Sequence, residues 1–111
     1  MRVVLERSNL LKTLNHVHRV VERRDTIPVL SNVLLSASGS SLELKATDLD
    51  LEITEATAAA VEQGGATTVP AHLLYEIVRK LPDGSEVMLK TDADGNAMSV
   101  VSGRSSFRLQ C

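Results

Sequence analysis

Residues 66–91, ATTVPAHLLYEIVRKLPDGSEVMLKT, change hydrophobic period twice. Residues 66–69 read as a short strand. Pro70 sits well at a helix start, because the N–H it lacks would go unbonded in the first turn anyway. From 71 to 81 apolar residues return at three- and four-residue intervals, predicting a helix. Leu73, Leu74, Ile77 and Leu81 are expected inward, with His72, Tyr75, Glu76 and Arg79 outward. Pro82-Asp83-Gly84 stops the helix. Alternation resumes over 86–91 and predicts a strand.

Further strands are predicted at 97–101 and 105–110, with turns at Asp94-Gly95 and Ser102-Gly103. The same plan precedes this segment. Residues 1–6 (MRVVLE) read as a strand. Ser8 is a candidate N-cap, and a helix runs to about Val21. Leu10, Leu14, Val17 and Val21 fall on one line of it, with Leu11 beside them. Lys12, His16, Arg19 and Arg23 fall on nearly the opposite line. Thr26-Ile27-Pro28 ends any helix. Strands are predicted at 29–37 and 41–46 around Gly39-Ser40, and at 48–57, where Leu49, Leu51 and Ile53 share a face. Gln63-Gly64-Gly65 reads as a loop. The chain is therefore βαβββ twice, with halves at about 1–57 and 66–111. The predicted class is α+β, with two helices packed on antiparallel sheets.

The 111 residues amount to one domain. With 43% hydrophobic residues, one tyrosine, one phenylalanine and no tryptophan, the core must be aliphatic. No apolar run approaches about 18 residues, so no membrane span is expected. The polar N-terminus does not resemble a secretory signal, and a cytoplasmic location is the simplest expectation. The single cysteine, Cys111, excludes a disulfide framework.

The net charge of −2 conceals an asymmetry. Residues 1–24 carry a net +4, residues 25–70 a net −6, and residues 71–111 balance. One concentrated basic segment suits either a positive face offered to a polyanion or a solvated helix surface. The acidic alternation Asp48, Asp50, Glu52 fails as a calcium loop, since Ile53 stands where glycine is required. His16, His18 and His72 lack cysteine or HExxH company, so no metal or cofactor is expected. No nucleophile–base pair and no phosphate-binding glycine loop is present, and no catalytic residue is assigned.

Five stretches carry a family resemblance. They are LERSNLLKTL (5–14), TIPVLSNVLL (26–35), ATDLDLEI (46–53), GATTVPAHLLYEIVRKLP (65–82) and SGRSSF (102–107). In this order and spacing the chain resembles, over essentially its whole length, the N-terminal domain of the bacterial β sliding clamp, the processivity subunit of DNA polymerase III. That resemblance implies the DNA-clamp fold and a non-catalytic role. In the family three such domains follow one another, and two subunits join head to tail as a homodimeric ring around double-stranded DNA. The helices line the inner wall. The chain stops at Cys111, so the second and third clamp domains are expected to be absent. With them would go the pocket for DNA polymerase III and clamp-loader peptides.

The resemblance also implies site residues. Arg24 matches a DNA-contacting position, and Arg23 precedes it. Lys12, His16 and Arg19 on the first helix, with His72, Tyr75, Arg79 and Lys80 on the second, would face the DNA channel. His72 stands where arginine is frequent in the family. Phe107 and Leu109 lie on the last strand, which in the family pairs with the third domain of the other subunit. Their other reading is plain core. Ser106 departs from the family's arginine. The alternative to a clamp is a stand-alone interaction module of this fold, self-associating through that last edge strand.

Overall fold

A computed structural model describes residues 1–22, 32–47 and 51–111. Among these residues the chain forms β1 (Arg2–Glu6), α1 (Arg7–Glu22), β2 (Asn32–Ser38), β3 (Ser41–Thr47), β4 (Glu52–Ala58), β5 (Ala60–Gln63), β6 (Gly65–Pro70), α2 (Ala71–Arg79), β7 (Glu86–Thr91), β8 (Ala97–Ser102) and β9 (Ser105–Gln110). The predicted α+β class and both βαβββ repeats are present. No helix among the described residues is long and apolar enough to cross a membrane.

The strands form two antiparallel sheets, ordered β5-β1-β7-β8-β9 and β4-β3-β2-β6. The two halves are not separate units. β1 of the first half pairs with β7 of the second, from Arg2↔Lys90 to Glu6↔Glu86. β6 of the second half pairs with β2 of the first, from Asn32↔Pro70 to Ala37↔Gly65. Each strand that precedes a helix thus completes the other half's sheet.

Alternation places Val33, Leu35 and Ala37 of β2, Leu42, Leu44 and Ala46 of β3, and Val87 and Leu89 of β7 inward, all buried. Leu10, Leu14 and Val17 of α1 and Ala71, Leu74, Ile77 and Val78 of α2 join the same cluster. The core is aliphatic, as the composition requires. Burying such a side chain contributes about 1.5–3 kcal/mol each.

Four expectations need correction. The predicted loop at 63–65 is instead β5, Gly64, and the start of β6. β5 covers part of the free edge of β1, pairing Arg2↔Gln63 and Val4↔Ala60. The glycines allow the tight crossing that follows. A Cβ on Gly64 would stand 3.1 Å from the Ala37 carbonyl oxygen, and Gly65 sits at φ +148°, beside Met1. Second, Leu73 is 48% exposed. Ala71 and Val78 pull the apolar stripe of α2 around, leaving Leu73 about 100° from its centre. Third, Leu51 precedes β4 and is 50% exposed, while Ile53 is half-buried, because β4 is a sheet edge. Fourth, α1 begins at Arg7 rather than after Ser8, and α2 ends at Arg79. The strand predicted from 29 starts at Asn32; residues 29–31, the Thr26-Ile27-Pro28 turn, the side chain of Val21 and the acidic Asp48 and Asp50 lie outside the described residues.

Arg7 joins the two helices. Its Nε donates to the Val78 carbonyl (3.1 Å) and one terminal nitrogen to the Arg79 carbonyl (2.8 Å). These carbonyls lie at the end of α2, where the regular helical ladder runs out; the Val78 oxygen also accepts the Leu81 N–H at 3.2 Å. The other terminal nitrogen reaches Asp83 at 2.6 Å. The Arg7 side chain is only 11% exposed, whereas Asp83 is almost fully solvated.

Two contrasts test this account in urea unfolding. Arg7→Met is expected to lose about 2 kcal/mol, the worth of charge-assisted bonds to carbonyls. Asp83→Asn should change stability by less than about 1 kcal/mol, as for other exposed ion pairs. Leu74→Ala should cost about 2–5 kcal/mol, and Leu73→Ala under about 1 kcal/mol, since it empties no core volume. Equal losses at Leu73 and Leu74 would contradict the observed phase of α2.

Candidate nucleic-acid interface

α1 and α2 lie side by side, and aromatic contacts bind them. The Tyr75 ring stacks on His18 at 4.0 Å between centroids and 13° between planes. His72 meets His18 edge-on at 5.5 Å and 87°. The Arg79 guanidinium lies 5.9 Å from the Tyr75 ring centre, within reach of a cation–π attraction. His18 itself is buried, so this cluster is the joint between the helices. On sequence alone, His18 is considered only as a metal ligand. Its position one turn beyond Leu14 and Asn15, on the flank of the apolar stripe, was the available sign that it points inward.

The predicted ridge on α1 is exposed at Lys12, His16 and Arg19. Its charge is unequal. His16 Nδ1 is 2.8 Å from a Glu55 carboxylate oxygen on β4, so it serves as a tie between helix and edge strand. On α2, Arg79 bonds Glu76 one turn earlier at 2.8 Å. Both pairs are partly exposed and worth about 0–1 kcal/mol. The Glu76 carboxylate offsets the charge of Arg79 on this surface. Lys12, Arg19 and Lys80 are exposed and form no ion pair among the described residues. His72 and Tyr75 are half-buried at the helix joint. Arg23 and Arg24 lie outside the described residues.

A surface of three uncompensated, long-chained cations on paired helices can hold phosphates. It offers flexible point charges rather than fixed forks aimed at base edges, so it can position a duplex without reading its sequence. Among the described residues no group of three or more His, Cys, Asp or Glu side chains is placed to hold a metal ion.

The last strand divides the residues assigned to it. Leu109 is 2% exposed and belongs to the core, packed from the sheet edge inward. Phe107 is 39% exposed. β9 pairs on one side only, with β8, from Ala97↔Gln110 to Ser102↔Ser105. Arg108 is held by the Asp92 carboxylate beyond β7. Of the proposed interface pair, only Phe107 offers surface to a partner.

Comparison with known proteins fits this architecture. The family DNA polymerase III beta subunit, N-terminal domain, matches residues 1–111. A beta sliding clamp from Caulobacter vibrioides is 53% identical over 109 residues, covering 98% of this chain and 29% of that relative. The beta sliding clamp of Escherichia coli K12 is 41% identical over 111 residues, covering 98% of this chain and 30% of its own length. A crystal structure of a sliding clamp (DNA polymerase III subunit beta) from Bartonella birtlesii, bound to griselimycin, superposes with a TM-score of 0.93. It is 59% identical and covers all of this chain and 29% of that one. The chain thus spans less than a third of the length of the relatives it matches. Its match over every residue, with the two interlocked βαβββ repeats, places it in the family of N-terminal domains of the DNA polymerase III beta subunit.

Proposed function

We propose that this chain is the first domain of a ring-shaped sliding clamp, a non-catalytic processivity factor that encircles duplex DNA and tethers DNA polymerase III. The observation that carries the reading is the α1–α2 surface, where Lys12, Arg19 and Lys80 stand exposed without ion-pair partners among the described residues. Arg23 and Arg24, next to α1 in sequence, add to the same positive segment. A clamp has to hold DNA weakly to slide on it. A few solvated cations meeting phosphates satisfy that need, because their attraction is long-ranged, independent of sequence and easily screened. Polymerase and loader contacts belong to the other two domains of the whole protein. Head-to-tail closure of the homodimer would use the β9 edge and Phe107.

The second reading, a self-associating interaction module, draws on one observation. β9 is an open edge with an exposed Phe107, and a second copy of this chain is one candidate to cover it.

Duplex affinity measured by fluorescence anisotropy should fall with rising salt and be equal for unrelated sequences. Each neutralised phosphate contributes about −0.9 to the slope of log affinity against log salt. Replacing Lys12, Arg19 and Lys80 together by Gln should therefore flatten that slope by about 2 to 3. A sequence-specific footprint that survives high salt would overturn the clamp reading. Phe107→Glu separates the alternatives in sedimentation velocity. In the full-length protein it is expected to convert dimer to monomer and leave the domain folded. If the 111-residue chain alone forms a tight dimer that Phe107→Glu abolishes, and has no DNA affinity, the module reading replaces the clamp.

A further inference from the structure

The two helices of the paired wall carry almost no acid. Apart from Glu22, the last residue of α1, Glu76 is the only acidic residue in either helix. The other carboxylate brought to this surface, Glu55, comes from β4. Glu76 stands in the last turn of α2, and its carboxylate lies 2.8 Å from the Arg79 guanidinium. The same guanidinium lies 5.9 Å from the centre of the Tyr75 ring, which is itself stacked on His18. Arg79 is thus engaged by its own helix on two sides.

Neither the helix nor the ion pair accounts for a carboxylate at this position. The C-terminal end of a helix carries partial negative charge and favours cations over anions. Arg79 and Lys80 obey that rule, and Glu76 opposes it. The side chains of Arg79 and Glu76 are 54% and 45% exposed, a setting in which ion pairs add little stability. A surface that had only to attract a polyanion would do better with a neutral residue at 76.

We propose that Glu76 limits how tightly this surface holds duplex DNA, by occupying Arg79 and keeping it from the phosphates. The proposal rests on the reading of the helix wall as DNA-facing, and it deepens that reading by naming the residue that sets the strength of the contact. Arg79 is then a cation held in reserve. To reach a phosphate it has to give up Glu76, whose own charge repels the incoming phosphate. Both effects keep the hold at this end of α2 weak, which leaves the surface free to move along the duplex.

Salt titrations of duplex binding by the 111-residue chain, followed by fluorescence anisotropy, test this. Glu76→Gln keeps a good helix former and removes a partner that adds little to the fold, so the variant should stay folded. It is expected to tighten duplex binding about three- to tenfold at low salt. It should also steepen the slope of log affinity against log salt by about 0.9, the share of one further phosphate contact. Glu76→Asp, which keeps the charge, should behave as the unaltered chain. Glu76→Gln combined with Arg79→Gln should return to the unaltered slope, because the released cation is gone. Glu43→Gln makes the same change of net charge at an exposed residue of β3, away from the helices, and should leave the slope unchanged. If the unaltered chain binds duplex in a salt-dependent way and Glu76→Gln has the same slope, the proposal fails and the duplex reading stands. Equal steepening by Glu43→Gln would also overturn it, since net charge alone would then set the affinity. A steeper slope that persists in the double variant would do the same, by showing that Arg79 is not the cation released. Absence of duplex binding in both the unaltered chain and Glu76→Gln would remove the two readings together.

Discussion

Every other feature depends on the exchange of strands between the two repeats. β1 leaves its own half to pair with β7, and β6 leaves its half to pair with β2. Neither half can therefore complete a sheet alone, which makes the fold one cooperative unit despite its repeated plan. The exchange also dictates where the helices go. Each helix follows an exchanged strand and must return the chain to its own half, so both cross the same seam. Their apolar stripes, Leu10, Leu14 and Val17 on one and Leu74 and Val78 on the other, meet the inner faces of the two sheets there. Their polar sides are left together on one surface. The paired-helix wall is thus a by-product of sheet topology, and the Arg7 and His18 contacts fix its geometry.

That wall is less positive than its basic residues suggest. His16 leans on Glu55 and Arg79 on Glu76. Each pair adds little stability at such exposure. The Arg79–Glu76 pair nonetheless alters the field, because a neutralised cation contributes little at a Debye length of about 10 Å. What remains is a sparse set, Lys12, Arg19 and Lys80. On the clamp reading, sparse charge is what lets such a surface hold a polyanion without arresting it. A fully basic wall would convert every added phosphate contact into slower movement along the strand.

Strand and helix content was legible in the sequence because it rests on local period. Both repeats, the hairpin turns and most inward residues follow from alternation and from the three-and-four spacing. What failed did so where a residue's fate depends on a distant partner. Leu73 looked inward until Ala71 and Val78, a small and a β-branched residue, proved to centre the stripe. β5 was hidden in an alanine-rich segment without clear alternation, and it pairs with the edge of β1. Arg7 gave no sign of its role, since its acceptors lie 71 and 72 residues away in sequence. His16 read as ridge charge, but its Glu55 partner is brought to it only by folding. Periodicity could group Phe107 with Leu109, as both point to one face of β9. It could not tell that the core reaches the second and not the first.

The treatment of the sheet edges argues in the same direction as the helix wall. An open edge invites pairing with another chain, and folds commonly blunt it. β4 carries Glu52 and Glu55. β5 is four residues long and has its Glu62 tied to Arg2 at 2.8 Å. β6 ends in Pro70, which cannot donate to a further strand. β9 has none of these devices. It is paired with β8 along its whole length, its one charged side chain, Arg108, is engaged by Asp92, and the Cys111 amide is fixed to the Asn96 carbonyl at 3.0 Å. The strand is thus held straight while Phe107 stays out of the core. A monomer selected for solubility alone has little reason to keep such an edge ordered and an aromatic ring beside it. A subunit whose sheet is to be continued by a neighbour has good reason, and that supports the view of this domain as one segment of a closed assembly.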